Sequence, residues 1–456
     1  MTGERIFGTD GVRGRAGEGW LAEERVSALG RAIGRIHLPH VERSTGQARP
    51  RAVLGHDGRA SGPVLQAALA RGLHAAGFEA ISAGLISSPG LALLTRDLPF
   101  GLGAMLSASH NPAGDNGIKI FSHEGTKLSD REELEIEELL RADLNPEVSP
   151  VDVPVDPGLE SHYIERLLEQ AGAELDLTGF PLVIDCANGS GSHYAPRVIE
   201  RLGAEVHALH CSPDGTNINR DCGSTHPEEL QREVVARGAR MGIALDGDAD
   251  RCILVDERGE LVHGDGILTI IAREAVRDGR WSDPRVVATV MSNRGLHRAL
   301  REVGVGVVEC SVGDRHVVEA LRREQLPLGG EQSGHVIFGD DLHYIGDGLY
   351  TALRVLRVAS RAAAPLSELA AAYQPYPQVL RNVVVQAKPP LERLQRTAEL
   401  VARVEGELGD EGRVLLRYSG TESLARVMVE GPDRERIEEQ ARTIADELVA
   451  EIASHG

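Results

Sequence analysis

The residues with the clearest chemical potential are a loop serine and three alternating aspartates. Ser109 lies within the segment SASHNPAGDNG, which is flanked on both sides by apolar runs. This pattern predicts a strand, an irregular loop and a second strand, with the serine hydroxyl presented on a rigid base. Spacing does not choose Ser109 over Ser107, and His110 and Lys119 are nearby partners for charge or acid–base chemistry.

Asp246, Asp248 and Asp250 alternate between two apolar runs, in the segment LDGDADRCILV. We expect an extended backbone here, because alternate side chains of an extended segment share one face and could direct three carboxylates at one Mg²⁺ or Ca²⁺. A solvated acidic turn is the alternative, but wedged carboxylates repel each other unless a cation lies among them. A dication beside a reactive serine favours phosphoryl transfer, since it neutralises charge on the moving phosphate.

Three further loops are rich in glycine and hydrogen-bonding groups, and each alone could be an ordinary turn. FGTDGVRG near the N-terminus suggests close approach of a ligand, with an arginine that could face phosphate. GGEQSGH offers a carboxylate, an amide and a hydroxyl that suit sugar hydroxyls. RYSGTE joins a guanidinium, two hydroxyls and backbone amides that suit an anion. Their polar residues are Arg13 in the first loop, Glu331, Gln332, Ser333 and His335 in the second, and Arg417, Ser419, Gly420 and Thr421 in the third.

Composition limits the class of protein. The 456 residues carry a net charge of −20, with 41% hydrophobic and 26% charged residues, which is typical of a soluble multidomain protein and argues against nucleic acid or an anionic membrane as partner. Five cysteines without a CxxC pair indicate reduced thiols of the cytoplasm. The sequence shows no signal-peptide core and no apolar run of about 18 residues. An anionic substrate would need a local group of basic residues.

One strand–loop–helix–strand pattern occurs three times, starting at residues 52, 182 and 286. Each predicted helix is followed by a glycine, Gly77, Gly203 or Gly304, which is typical of a helix C-terminus. This spacing predicts three similar α/β domains, with chance likeness between αβ units as the alternative. The C-terminal part predicts a β-α-β-β-α domain of α+β type. We place the domains at 1–152, 153–254, 255–368 and 369–456.

Together these motifs resemble the α-D-phosphohexomutase superfamily, in particular its branch that acts on glucosamine phosphates. FGTDGVRG, SASHNPAGDNGIK, DGDADR, GEQSGH and RYSGTE occur in the order and at the spacing of that family, and the resemblance covers essentially the whole chain. PDGTNIN, CGST and VGDR are similar to the glucosamine branch. The resemblance implies three similar α/β domains, each a mixed sheet between helices, and a C-terminal α+β domain like the TATA-binding protein, around a central cleft.

The resemblance also implies a role for each motif. Ser109 would carry a phosphate and, with Asp246, Asp248 and Asp250, would hold one Mg²⁺ per chain. Acid–base chemistry and charge stabilisation would be served by Lys119, Arg13 and His335, and the phosphoserine would lie beside Arg251. The sugar hydroxyls would be bound by Glu331, Gln332 and Ser333. The phosphate that is not transferring would be bound by Arg417, Ser419, Gly420 and Thr421. Ala249 stands where the family more often has glycine, which matters if this position needs a positive φ.

The implied reaction interconverts glucosamine 6-phosphate and glucosamine 1-phosphate through phosphoserine 109 and a sugar 1,6-bisphosphate, which also primes the enzyme. The product would feed UDP-N-acetylglucosamine and cell-wall precursor synthesis in the cytoplasm. We expect a small-molecule sugar phosphate as partner, no nucleic acid and no membrane, and we consider a homodimer. Three alternatives stay open: a phosphomannomutase/phosphoglucomutase with the same mechanism, a phosphotransferase whose nucleophile is Asp246 or Asp248, and a sugar-phosphate sensor without activity.

Overall fold

Four β-sheets with flanking helices organise the chain. The structure, a computed structural model, describes residues 5–8, 10–45, 49–142, 150–173, 175–339, 344–419 and 423–454. The chain divides into two units, Met1–Val290 with Val308–Ala370, and Met291–Val307 with Ala371–Gly456. The first two sheets and most of the third belong to the first unit, and the fourth sheet belongs to the second unit.

The first sheet has five strands. The elements of this region are β1 Val12–Arg15, α1 Glu23–Thr45, β2 Arg51–His56, α2 Gly62–Ala75, β3 Glu79–Leu85, α3 Ser88–Asp97, β4 Phe100–Leu106, β5 Asp115–Ser122 and α4 Asp130–Ala142. The strand order is β1-β5-β4-β2-β3. Strands β2, β3 and β4 are parallel, whereas β5 is antiparallel to β4 and to β1.

The second and third sheets follow along the chain. The second region contains α5 Gly158–Gln170, β6 Pro181–Asp185, α6 Ala195–Arg201, β7 Glu205–Leu209, α7 Glu228–Arg237, β8 Met241–Leu245, β9 Cys252–Asp256 and β10 Leu261–Val262. The third contains α8 Gly264–Arg277, β11 Arg285–Thr289, α9 Arg294–Arg301, β12 Gly306–Cys310, α10 Asp314–Glu324, β13 Leu328–Gly330, β14 Val336–Phe338, α11 Gly348–Ala362 and α12 Leu366–Ala370. Their strand orders are β10-β9-β8-β6-β7 and β12-β11-β13-β14.

The three sheets share one four-strand arrangement. Reading from the same side, the orders are β3-β2-β4-β5, β7-β6-β8-β9 and β12-β11-β13-β14. In each sheet the last two strands form an antiparallel pair. The serine loop (107–114), the metal loop (246–251) and the sugar loop (331–335) each connect such a pair. The predicted chemical loops therefore occupy the same topological position in three similar α/β domains.

Local sequence signals for these domains are confirmed. Gly77, Gly203 and Gly304 have φ angles of +101°, +93° and +75°, as expected for glycines that end helices. Every residue of β4 is buried, which suits a central strand covered on both faces. All five cysteines are free thiols. No helix within the described ranges has both the length and the apolar composition needed to cross a membrane.

The second unit carries the predicted C-terminal α+β domain. Its elements are β15 Gln378–Val384, α13 Gln395–Leu408, β16 Arg413–Tyr418, β17 Leu424–Glu430 and α14 Arg434–Ser454. The sheet is antiparallel, with the order β15-β17-β16. The predicted apolar stripe of the last helix is buried in the core of this unit, and its members are Ile437, Ala441, Ile444, Leu448 and Ile452.

Helices α1 and α2 approach each other closely because glycines lie at their contact. A Cβ atom at Gly72 would lie 1.9 Å from the carbonyl oxygen of Ser27, and one at Gly30 would lie 2.3 Å from that of Leu69. Both obstacles are backbone atoms, which cannot move away by changing a rotamer. These positions therefore require glycine for packing.

We expect Gly72→Ala to destabilise the first unit by about 1–3 kcal/mol or more, because the methyl group would force the two helices apart. Gly406→Ala in α13 is the matched control, since no atom lies within 4 Å of its Cβ position. There the same substitution should stabilise its helix by up to about 1 kcal/mol. Thermal unfolding followed by circular dichroism measures both, and an unchanged stability of Gly72→Ala would contradict the packing.

Candidate active site

The two serines of the serine loop direct their hydroxyl groups to different partners. Ser109 is 1% exposed, has a φ of +51°, and donates a hydrogen bond from Oγ to Asp246 Oδ2 at 2.6 Å. The Ser107 hydroxyl donates to Asp57 at 2.6 Å and accepts from the Ser109 backbone N–H at 2.8 Å. Of the two serines that spacing left open, Ser109 is the one whose hydroxyl is directed at the metal loop.

The metal loop is a tight turn, and the prediction of an extended backbone was wrong. Ala249 has a φ of +57°, and its N–H donates to the carbonyl of Asp246 at 3.0 Å. The three carboxylates nevertheless converge, with one oxygen atom of each lying within 4.8 Å of the others. An alanine in this left-handed conformation costs about 1–2 kcal/mol, so the departure from glycine does fall at a position with a positive φ.

Lys119 balances the charge of the aspartates. It lies on β5, where it is almost fully buried, and its Nζ is 2.7 Å from Asp248 Oδ2, 3.2 Å from Asp250 Oδ2 and 3.0 Å from Asp10 Oδ2. Burial alone would lower the pKa of Lys119, but these carboxylates raise it well above its usual value. Lys119 is therefore an ammonium ion in this structure.

The negative charge and the hydrogen-bonding capacity of Asp246 and Asp248 are not fully satisfied by protein groups, as is expected of metal ligands. Burial, together with Asp250 and Asp248, raises the pKa of Asp246 to about 8. Asp248 Oδ2 accepts hydrogen bonds from Lys119 and Ser88, whereas its buried Oδ1 accepts none from the described residues. Three hard oxygen donors with an unsatisfied buried atom fit Mg²⁺ or Ca²⁺.

A second layer of ion pairs surrounds Lys119. Asp10 pairs with Lys119, Lys127 and Arg13, and Lys127 also pairs with Asp314. Neither Asp10 nor Lys127 is among the predicted site residues, although Asp10 lies inside the FGTDGVRG motif. Arg13 lies in β1, where its side chain is 29% exposed.

His335 and Arg251 approach the same aspartates from neighbouring loops. His335 Nδ1 lies 3.5 Å from Asp250 Oδ1, and its Nε2 lies 3.7 Å from Asp314 Oδ2. Burial alone would lower the pKa of His335, but Asp250 and Asp314 raise it. Arg251 Nε lies 3.8 Å from Asp250 Oδ1. The first unit therefore places several basic side chains around its acidic site, as an anionic substrate would require.

The sugar loop is held by its own backbone and by one of its predicted site residues. Glu331 Oε1 accepts a hydrogen bond from the Gly313 N–H at 3.0 Å. Gln332 is partly exposed and Ser333 is exposed. Glu331 thus fixes the neighbouring loop, while Gln332 and Ser333 are accessible to a ligand.

The predicted anion loop lies in the second unit, at the end of β16. Arg417 is exposed, and Ser419 is buried with its carbonyl accepting from Lys388 Nζ at 2.5 Å. Gly420 and Thr421 lie outside the described residues. The structure therefore describes half of this loop.

Comparison with known families agrees with this arrangement. Four family models match the chain in order: phosphoglucomutase/phosphomannomutase alpha/beta/alpha domain I at residues 4–147, domain II at 161–259, domain III at 263–376, and the C-terminal domain at 380–447. The chain belongs to the phosphoglucomutase/phosphomannomutase family. The predicted superfamily and the fold class of three similar α/β domains plus a C-terminal domain are confirmed.

Full-length relatives carry a more specific name. The phosphoglucosamine mutase of Anaeromyxobacter sp. strain Fw109-5 is 45% identical over 454 residues, which cover 97% of this chain and 95% of the relative. The phosphoglucosamine mutase of Symbiobacterium thermophilum is 46% identical over 455 residues, with 98% and 99% coverage. A solved phosphoglucomutase/phosphomannomutase family protein from Burkholderia thailandensis has a TM-score of 0.77 at 25% identity, with 97% of both chains covered.

Mg²⁺ binding to the unphosphorylated protein at pH 7 should release about one proton per chain, because Asp246 must ionise before it binds a cation. Its pKa of about 8 means that the group is largely neutral at pH 7 and largely ionised at pH 9.5. Mg²⁺ affinity should therefore rise and proton release should fall between these pH values. Calorimetry in buffers of different ionisation enthalpy measures the protons, with Asp246→Asn as control. Binding at pH 7 without proton release would contradict the assignment.

Proposed function

We propose that the chain is a phosphoglucosamine mutase that interconverts glucosamine 6-phosphate and glucosamine 1-phosphate. Phosphoserine 109 would transfer its phosphoryl group to the free sugar hydroxyl, so that the Oγ–P bond breaks and a sugar O–P bond forms. The resulting 1,6-bisphosphate would turn end for end and return its other phosphoryl group to Ser109. The enzyme is thus an isomerase that works by phosphotransfer, and the bisphosphate is also its primer.

The observation that carries the proposal is the Ser109 hydroxyl, buried and hydrogen-bonded to Asp246 within a set of three carboxylates. A serine that only capped a turn would bond to nearby backbone, as Ser107 does with Ser109. The substrate assignment is supported by full-length relatives named phosphoglucosamine mutase. Phosphomannomutase or phosphoglucomutase activity remains the alternative within the family.

Each polar group of the first unit has a proposed part in the transfer. Lys119 and His335, whose pKa values are raised, would serve the acid–base chemistry as proton donors. Together with Arg13 and Arg251 they would stabilise phosphate charge. Asp246, Asp248 and Asp250, with the serine phosphate, would hold one Mg²⁺ per chain. When bound, this ion would neutralise charge on the transferring phosphoryl group. Asp10, a partly buried carboxylate, serves to fix Lys119.

The two ends of the sugar phosphate need separate recognition. Gln332 and Ser333 are proposed to bind sugar hydroxyls directly, with Glu331 reading the sugar while also fixing the loop at Gly313. The loop of Arg417, Ser419, Gly420 and Thr421 is proposed to bind the phosphate that is not transferring. Such a division allows either phosphate of the bisphosphate to face Ser109.

Other features of the proposal are less directly tied to the site. We propose domains at 1–152, 153–254, 255–368 and 369–456, and the family models cover closely similar ranges. A cytoplasmic location, a homodimer and a role in supplying UDP-N-acetylglucosamine for cell-wall precursors stay predictions. The five free thiols are compatible with a reducing compartment.

We expect kcat/KM to be highest for glucosamine 1-phosphate, lower for glucose 1-phosphate and lowest for mannose 1-phosphate. An amine in place of a hydroxyl at C2 leaves hydrogen bonding intact, so discrimination against glucose should be moderate, whereas mannose inverts C2. A coupled assay on all three substrates, each primed with its 1,6-bisphosphate, measures the order.

The same preparations test the nucleophile. Peptide mapping should place one phosphate on Ser109, and Ser109→Ala should abolish turnover, whereas Ser107→Ala should still become phosphorylated at Ser109. Hydroxylamine should leave the phosphate in place, because it cleaves acyl phosphates but not phosphoserine. Best activity on glucose or mannose phosphate would reject the amino-sugar assignment alone, and a hydroxylamine-labile phosphate would reject the serine mechanism.

A further inference from the structure

Two backbone carbonyls of the serine loop are held from outside the loop. The carbonyl of Ser109 accepts from Arg59 Nη2 at 3.0 Å and from Asn219 Nδ2 at 2.8 Å. The carbonyl of Asn111 accepts from the same two groups, at 2.8 and 3.1 Å. Two side chains that are distant in sequence therefore converge on the same pair of acceptors, directly beside the reacting serine.

Arg59 uses its whole donor set in this position. Its guanidinium is fully buried, and Nε pairs with Asp57 at 2.9 Å. Nη1 donates to the carbonyls of Pro112 and Asp115, and Nη2 donates to those of Ser109 and Asn111. Because a lysine has only three donors and no planar fork, it could not make this set. Asp57 in turn accepts from Ser107, which binds the Ser109 N–H.

Asn219 reaches the serine loop from the second α/β domain. It is 9% exposed, has a φ of +57°, and donates its backbone N–H to the carbonyl of Ala187 at 2.9 Å. Its segment, PDGTNIN, was one of those by which the sequence resembles the glucosamine branch. In the structure its side chain donates hydrogen bonds to the serine-loop backbone, directly beside Ser109.

The backbone of the metal loop also lies close to the Ser109 carbonyl. A Cβ atom at Gly247 would lie 2.6 Å from the Ser109 carbonyl oxygen and 2.9 Å from Asn219 Nδ2. The Ser109 carbonyl is therefore enclosed by Arg59 of the first domain, by Asn219 of the second and by the metal-loop backbone. Any shift of the loop would move the Ser109 hydroxyl away from Asp246.

We propose that Arg59 and Asn219 are positioning residues for phosphoryl transfer, which hold the carbonyls of Ser109 and Asn111 and thereby keep the Ser109 oxygen at the metal loop. This inference rests on the proposed function. Ser109 has a positive φ, which is unfavourable for a non-glycine residue and persists only where its surroundings enforce it. The two carbonyl contacts and the Ser107 contact together fix both peptide groups that flank Ser109.

Asn219→Gly is the most direct test, because glycine accepts the left-handed backbone and removes both donors. Asn219→Asp keeps the shape and the backbone preference but turns a carboxylate toward two carbonyls. Asn217→Ala is the matched control, since among the described residues the Asn217 side chain bonds within its own loop, to Asp214 and Ser212.

The enzymes are primed with glucosamine 1,6-bisphosphate and mixed with glucosamine 6-phosphate in a rapid-quench experiment that follows phosphate leaving Ser109. We expect both Asn219 variants to lower the rate constant about 10- to 100-fold, as displacement of a reacting group by about 1 Å can do, with full amplitude and little change in KM. Asn217→Ala should match the wild type.

A wild-type rate constant in either Asn219 variant would overturn the inference. So would a lower amplitude at an unchanged rate constant, because that result marks loss of folded enzyme and not misplacement. Failure of the wild-type enzyme to transfer phosphate from Ser109 would instead reject the proposed function, so the two failures are distinguishable.

Discussion

The need to compensate several buried carboxylates governs this site. Asp246, Asp248 and Asp250 converge in one turn, and Asp10 also pairs with Lys119. Like charges removed from water repel strongly, so such a group persists only with protons or cations among it. Both solutions fit this site, since burial and the neighbouring aspartates raise the pKa of Asp246 to about 8 and Lys119 Nζ contacts three carboxylates. A dication fits the same electrostatic requirement, and it would also compensate the negative charge of a serine phosphate.

The repeated domain explains how these groups come together. In each of three sheets one antiparallel strand pair carries the chemical loop, so each domain contributes one loop from an equivalent position. The strands beneath these loops are largely buried, whereas the loops contain the left-handed residues Ser109 and Ala249. Two of these loops thus contain strained backbone, which contacts between domains, such as that from Asn219 to the Ser109 carbonyl, can maintain.

The features that were predicted correctly from the sequence are those that depend on local sequence patterns. Strands around the serine loop, helix-ending glycines such as Gly77, and the buried stripe of α14 follow from periodicity and turn chemistry, and the structure confirms them. The metal loop was mistaken for an extended strand because alternating aspartates suit either a strand or this turn. The contacts of Arg59 and Asn219 with the serine loop were not predicted, because their partners are 50 to 110 residues away. Only the fold brings such residues together.

Thermal unfolding of the unphosphorylated wild type and of Lys119→Met, each with EDTA and with Mg²⁺, tests the electrostatic compensation most directly. Methionine has a similar length and removes the charge of Lys119 together with its hydrogen-bond donors. If Lys119 and the metal compensate the same carboxylates, Mg²⁺ will raise the Tm of Lys119→Met more than that of the wild type, and the variant in EDTA will be the least stable of the four samples. An equal Mg²⁺ effect on both proteins would contradict this shared role.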